Sequence, residues 1–324
     1  MPPARRLPLT LTTAEALLHH HIDAFKTERR VKAGSVIVTV FGDAVAPRGG
    51  VLWLGSLIQL LAPLGINERL VRTAAFRLVK EDWLVAHAAG RRTNYALSVN
   101  GRIRIQEASR HIYAISAPRW DGAWRLLALL GEVNGPTREA LRRALYWQGF
   151  GELNGPVFVH PSADWGAVFD SLTQEGLQES VSALVPFTAR ALDVLGAGTA
   201  CDVVHRAWDL QQLGLDYAAF VRVYLPIKSA LNQVGNSLQP ALAFQLRLLL
   251  LHDFRRLLLR DPLLPEALLP EQWPGVEART LCRAVYKRLW EASERYLADA
   301  LQLADGVSLQ HAAQVPGAMA DWLL

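Results

Sequence analysis

Residues 51–84, VLWLGSLIQLLAPLGINERLVRTAAFRLVKEDWL, decide how the first third of this chain is read. Leu54, Leu57, Ile58 and Leu61 sit at i, i+3, i+4 and i+7, the spacing of a short amphipathic helix. Pro63 and Gly65 cannot continue it, so the chain turns sharply there. A second helix is predicted over 67–80, with Asn67 as its N-cap. On it Arg69, Arg72, Thr73, Phe76, Arg77 and Lys80 recur at steps of three and four and share one side. Leu70, Ala74 and Leu78, with Val71 and Ala75 beside them, form the opposite apolar stripe. Beyond Glu68 the polar side is cationic until Glu81, whereas an ordinary surface helix mixes its signs. Two short helices joined by a tight turn containing Gly read as a helix-turn-helix, its second helix suited to a major groove.

The flanks agree. Residues 83–87 and 93–97 read as two strands around Ala89-Gly90-Arg91-Arg92, a hairpin of the kind called a wing. Residues 35–41 supply a first helix that Gly42-Asp43 ends, and Pro47-Arg48-Gly49-Gly50 is a loop. This gives a winged-helix DNA-binding domain over 33–100. Arg69, Arg72 and Arg77 are the candidates for base edges, because guanidinium pairs bidentately with guanine. Thr73 is assigned a thymine methyl or a phosphate, and Lys80 a phosphate. Ser56, Arg91 and Arg92 are assigned the DNA backbone or the minor groove. An aromatic at helical spacing usually packs under a neighbouring loop, and Phe76 is expected to do so. The helical stretch 13–29 contains His19, His20 and His21. Adjacent helical residues point in different directions, so the run is read as solvated or partly packed rather than as a metal site.

Charge is unevenly spread. Residues 1–118 hold 16 Lys or Arg against 8 Asp or Glu, and the remainder holds 18 against 22, within a chain of net charge +4. The positive excess therefore lies with the proposed DNA reader. Cys201 and Cys282 are far apart and not at a metal-ligand spacing, which fits a reducing compartment. Arg5 and Arg6 precede no apolar stretch of signal-peptide length. The greasiest run, 246–259, is cut by Arg247, His252, Asp253, Arg255 and Arg256. No membrane association is expected, and the cytoplasm is the expected location.

Residues 101–118 read as a linker helix, with Pro118 and Asp121-Gly122 at its end. A central domain follows over 119–195: strand 124–130, helix 137–148, strand 156–160, helix 163–174 and strand 181–185, with room for one more short strand at Gly151-Glu152-Leu153. That order predicts a small ferredoxin-like α+β sandwich. Residues 200–303 read as an all-α C-terminal domain with helices over 200–212, 216–232, 238–260 and 275–303. The whole is thus an α+β multidomain chain.

Three blocks carry a resemblance to a known family. They are FGDAVAPRGG (41–50) with residues 51–84 and GRRTNYALSVNG (90–101); RWDGAWRLL (119–127) with LYWQGFGELNGPVFVHP (145–161); and HDFRRLLLRDPLLPEALLPEQWPG (252–275) with LCRAVYKRLWEASERYL (281–297). In that order, from about 32 to 297, the chain resembles the PaaX-type repressors of phenylacetic-acid degradation. The resemblance implies a winged-helix head, a Cas2-like central domain and a helical C-terminal domain. It also implies a homodimeric repressor released from double-stranded operator DNA by an aryl-CoA thioester, phenylacetyl-CoA in the best-known members. Such an effector needs cations near its phosphates and aromatics near its acyl end, and Arg255, Arg256 and Arg260 with Trp208 and Tyr217 are the candidates.

Two rival readings stay open at this point. A Cas2-like domain makes a metal-dependent nuclease conceivable, but the strand at 126–130 has no Asp and the nearest acids are Asp121 and Glu132, which form no convincing carboxylate pair. No nucleophile elbow, phosphate loop, dinucleotide fingerprint or zinc-protease motif is present, so no enzyme, metal or cofactor is expected. An architectural DNA binder without an effector is the other rival.

Overall fold

The computed structural model describes residues 12–28, 32–114, 119–131, 133–153, 155–190, 198–309 and 317–323. Pro118, Glu132, Arg5 and Arg6 lie outside them. Along the chain the elements are α1 (Thr13–Glu28), α2 (Ala33–Val40), β1 (Val51–Trp53), α3 (Leu54–Leu61), α4 (Glu68–Lys80), β2 (Leu84–Ala89), β3 (Arg92–Leu97) and α5 (Val99–Ile112). There follow β4 (Trp124–Leu129), α6 (Gly135–Trp147), β5 (Gly151–Leu153), β6 (Val157–His160), α7 (Trp165–Gln174), α8 (Gln178–Val181) and β7 (Leu184–Ala189). The remainder is helical: α9 (Ala200–Ala207), α10 (Leu210–Val234), α11 (Pro240–Leu258), α12 (Pro274–Ala300) and α13 (Gly317–Leu323).

The chain divides into two compact units. One comprises residues 1–114, 220–255 and 277–324, the other residues 115–219 and 256–276. The region 200–303 is helical as expected, but its helices are shared out between the two units. Most of α10, α11 and α12 falls with the N-terminal elements, and buried charge shows why. In the first unit Arg247 of α11 is fully buried, 2.8 Å from Asp43 and 2.6 Å from Glu294 of α12. Arg48 also pairs with Glu294. The Tyr113 and Tyr286 hydroxyls donate to Asp43 Oδ1 at 2.9 and 2.7 Å. Two cations and two anions thus close on one another away from water, which buried charges require. Burial alone would depress the Arg247 guanidinium, but the negative charges around it, Asp43 foremost, outweigh that and raise its pKa. Gly42-Asp43 therefore does not end α2. The backbone continues as a π-helical turn over Phe41–Val45, a wide turn that carries Asp43 inward.

The first unit's sheet has the antiparallel order β1-β3-β2. β1 was not expected. Its three residues pair with β3, and its far edge is met by the loop after α12, where Trp53 N donates to Gln302 O at 3.0 Å.

The second unit's sheet has the order β5-β6-β4-β7, all antiparallel. With α6 after β4 and α7 after β6, this is the expected ferredoxin-like arrangement, and β5 fills the place left at Gly151-Glu152-Leu153. Leu127, Leu129, Phe158 and Leu184 pack against Leu141, Leu145, Val168 and Leu172 of the two helices. The closing strand lies at 184–189 rather than 181–185, because residues 178–181 form a helical turn first. On the other sheet face Trp208 stacks on Trp124, and its Nε1 donates to Gly149 O. A Cβ at Gly151 would stand only 2.6 Å from Ala207, so α9 approaches β5 that closely only because glycine is there.

Candidate nucleic-acid interface

Helix α4 begins where the sequence places it. Asn67 Oδ1 accepts from Leu70 N at 3.0 Å, satisfying one of the first-turn amides. The turn before it passes through Gly65 at φ 78°, a left-handed conformation that a side chain would strain. Val71, Ala74, Ala75 and Leu78 are buried and anchor the helix. Leu70 is not part of that stripe. It is 48% exposed, since the buried line runs through Val71 instead.

The opposite face is open. Arg69, Arg72, Thr73, Phe76, Arg77 and Lys80 are all exposed. Arg72 pairs with Glu68 at 2.7 Å and Arg77 with Glu81 at 3.7 Å. Both are one-turn pairs between exposed side chains, and such pairs are worth only about 0.3–0.5 kcal/mol. Phosphate contacts can therefore displace them. The Thr73 hydroxyl donates back to Arg69 O at 2.9 Å, and the residue stays exposed. Phe76 contradicts the expectation that it packs under a loop. It is 59% exposed in the middle of the cationic face, with Lys80 Nζ 4.9 Å from its ring centre. Its place among cationic residues, rather than on the apolar stripe, was the signal for this.

The hairpin β2–β3 follows directly, its residues 84–89 paired in register with 92–97. Gly90 and Arg91 form its tip, and Arg91 is exposed there. One assignment is corrected, and another side chain is partly engaged. Ser56 is 1% exposed, and its Oγ accepts from Gln302 N at 3.1 Å, so it cannot reach a DNA backbone in this arrangement. The Arg92 guanidinium lies over the Trp53 ring at 4.7 Å and donates to Ala304 O at 2.9 Å. The residue lies at the tip end of β3 and stays exposed, and Asn94 Oδ1 accepts from Ala304 N beside it. Both contacts come from a loop more than 200 residues downstream.

The residues expected around an effector do not form one cluster. In the second unit Trp208 and Tyr217 are buried, and the Tyr217 hydroxyl donates to Asp261 at 2.5 Å. Arg256 is exposed, and Arg260 pairs with Asp216 at 2.8 Å. Arg255 falls in the first unit, where its Nη2 donates to Ser35. Asp121, the acid nearest β4, is 2.7 Å from Arg125, whose hydrogen bond lowers its carboxyl to a pKa of about 2. It is thus paired with a cation, while Glu132 lies outside the described residues. Among the described residues no helix is long and apolar enough to cross a membrane.

Residues 32–101 match the PaaX-like protein family, residues 117–193 the PaaX protein central Cas2-like domain, and residues 208–299 the PaaX-like protein C-terminal domain. The chain is 36% identical to the transcriptional repressor PaaX of Escherichia coli (strain K12) over 289 residues, 89% of each protein. It is also similar to the solved structure of an uncharacterized protein from Mycobacterium tuberculosis. The identity there is 25% and the TM-score 0.46, over 74% of this chain and 90% of that one.

Proposed function

This chain belongs to the PaaX-like family, and on that premise we propose that it is a transcriptional repressor, not an enzyme, which binds operator DNA through α4. The observation that carries the reading is the outward cationic face of α4, seated by a buried stripe and followed at once by a basic-tipped hairpin. In this reading residues 33–100 act as a winged helix-turn-helix, with α3 positioning, α4 reading and β2–β3 as the wing. Arg69, Arg72 and Arg77 reach base edges, Lys80 and Arg91 neutralise phosphates, and Phe76 with the Thr73 methyl supplies apolar contact to thymine methyls. A homodimer would set two copies of α4 in successive major grooves, roughly 34 Å apart, on an imperfect palindrome.

The finer part of the proposal is an operon of phenylacetate degradation, in the cytoplasm, with release by an aryl-CoA thioester such as phenylacetyl-CoA. That part is supported by the family alone. Release requires the thioester to bind the DNA-incompetent arrangement more tightly, since equal affinity shifts nothing. The test is a footprint on the promoter upstream of this protein's own reading frame, with and without phenylacetyl-CoA. A protected palindrome that opens on adding the thioester is the expected result. Protection without release removes the effector, and no preference over random duplex removes the repressor.

A further inference from the structure

In the first unit, helix α5 closes on the far end of α4. The Ser98 hydroxyl caps α5 by accepting from Gly101 N at 2.8 Å, and it donates to Asp82 O at 2.7 Å. Ser98 N donates to Trp83 O at 3.1 Å, and Asn100 Nδ2 donates to the Asp82 carboxylate. A Cβ at Gly101 would stand only 2.1 Å from Trp83 O, so α5 meets the corner between α4 and β2 this closely only because glycine is there. These contacts fix the first turn of α5 against residues 81–83. They fix Arg104 with it, one turn further along.

The Arg104 guanidinium lies on that corner. Its Nη1 donates to Glu81 O at 3.2 Å, and its central carbon is 5.0 Å from the centre of the Trp83 ring. The acids nearby are engaged elsewhere. The Glu81 carboxylate is 3.7 Å from Arg77, and that of Asp82 accepts from Asn100. Arg104 is exposed, and among the described residues no carboxylate pairs with it, not even Glu107 on the next turn of α5. Arg77 and Lys80, both exposed, stand in the last turn of α4 just before Glu81. Arg104 therefore carries the cationic face of α4 past the end of that helix, with a side chain that belongs to another element. A cation beside the last carbonyls of a helix is favourable in itself, but that takes one donor, and a guanidinium has five.

We propose that Arg104 is a DNA phosphate contact, which adds α5 to the binding surface beside α4 and the hairpin. The indole and the carbonyl hold the guanidinium in place before DNA arrives, so little rotamer freedom is lost when a phosphate oxygen takes its remaining donors. The planar fork also matches two phosphate oxygens at once. This assignment rests on the reading of α4 as the DNA-binding helix.

The test is DNA binding by the full-length protein over a range of salt concentrations, on a fragment of its own promoter and on a random duplex of equal length. Arg104→Gln and Arg104→Met remove the charge from an exposed helical position, Arg104→Lys keeps it, and Arg69→Ala is the control on α4. The dependence of log affinity on log salt should be flatter by about one unit in Arg104→Gln and Arg104→Met, and unchanged in Arg104→Lys. Promoter fragment and random duplex should weaken by the same factor, because a phosphate carries no sequence. Unfolding midpoints should stay at the wild-type value. If Arg104 only closes the end of α4, the midpoint falls while the salt slope stays, and the proposal is overturned. It is also overturned if neither charge-removing variant folds, or if Arg104→Lys flattens the slope as much as they do. An effect of Arg69→Ala with none at Arg104 removes this contact alone. A wild type that binds neither duplex removes the DNA reading and this contact with it.

Discussion

Arginines on α4 and arginines beneath α2 are the same side chain in opposite surroundings. Arg72 and Arg77 keep 58% and 72% of their side-chain surface in water, and each leans on one exposed acid a turn away. Arg247 and Arg48 keep 0% and 3%, and their carboxylates come from elements far apart in sequence. Removing water converts a cation from a tool for outside partners into a tie that its own fold must neutralise. The exposed set can therefore be lost without unfolding the protein, while the buried set cannot.

The sharpest way to break this comparison is Arg247→Ala. It leaves Asp43 and Glu294 facing each other's neighbourhood without their shared cation, and the expected loss of stability is about 3–5 kcal/mol. Urea unfolding measures it, and a loss below about 1 kcal/mol would show that the buried cluster is not a tie.

His160 tests the same logic in the second unit, where a largely buried imidazole stays neutral. Burial, aided by the nearby Arg125 charge, lowers its pKa from 6.5 to about 4. The unfolded chain then binds the proton more readily, so stability is lost as pH falls from about 6.5 toward 4, by up to roughly 3 kcal/mol. The slope should flatten in His160→Phe, followed by unfolding midpoints over that pH range.

On the exposed side, single changes Arg69→Ala, Arg72→Ala and Arg77→Ala should each weaken operator binding. A base-reading arginine should cost about 1–3 kcal/mol and relax preference at one position. Thermal unfolding should stay within about 0.5 kcal/mol of wild type. Operator binding that is unchanged in all three would mean that the open face of α4 does not read DNA.

Asn67→Ala should cost about 1 kcal/mol through the lost cap, read as unfolding free energy. The smallest expected effect is that of Arg91→Ala, a phosphate contact at the hairpin tip. It should flatten the salt dependence of operator binding by about one unit without changing sequence preference.

Legibility followed the range of the interactions. Helix α4, its cap and its cationic side were readable because each depends on neighbours within four residues. The choice between Leu70 and Val71 was not, since both flank the apolar stripe and only the packing partner decides. Ser56 was misassigned to DNA because Gln302 reaches it from the far end of the chain, and Ala304 reaches Arg92 in the same way. Arg247 read as a polar break in a greasy helix, and nothing near it in sequence announces Asp43 or Glu294. In the central unit, β5 was anticipated as a possibility, while the closing strand was displaced by a helical turn that its composition does not mark.

The chain by itself determined the phases of its helices, the position of the turn at Gly65, and the excess of positive charge in its first third. Those depend on backbone geometry and on side chains a few residues apart. Tertiary structure alone decided which cations keep their water. Desolvation depends on what distant segments bring to a site, and no local pattern records that.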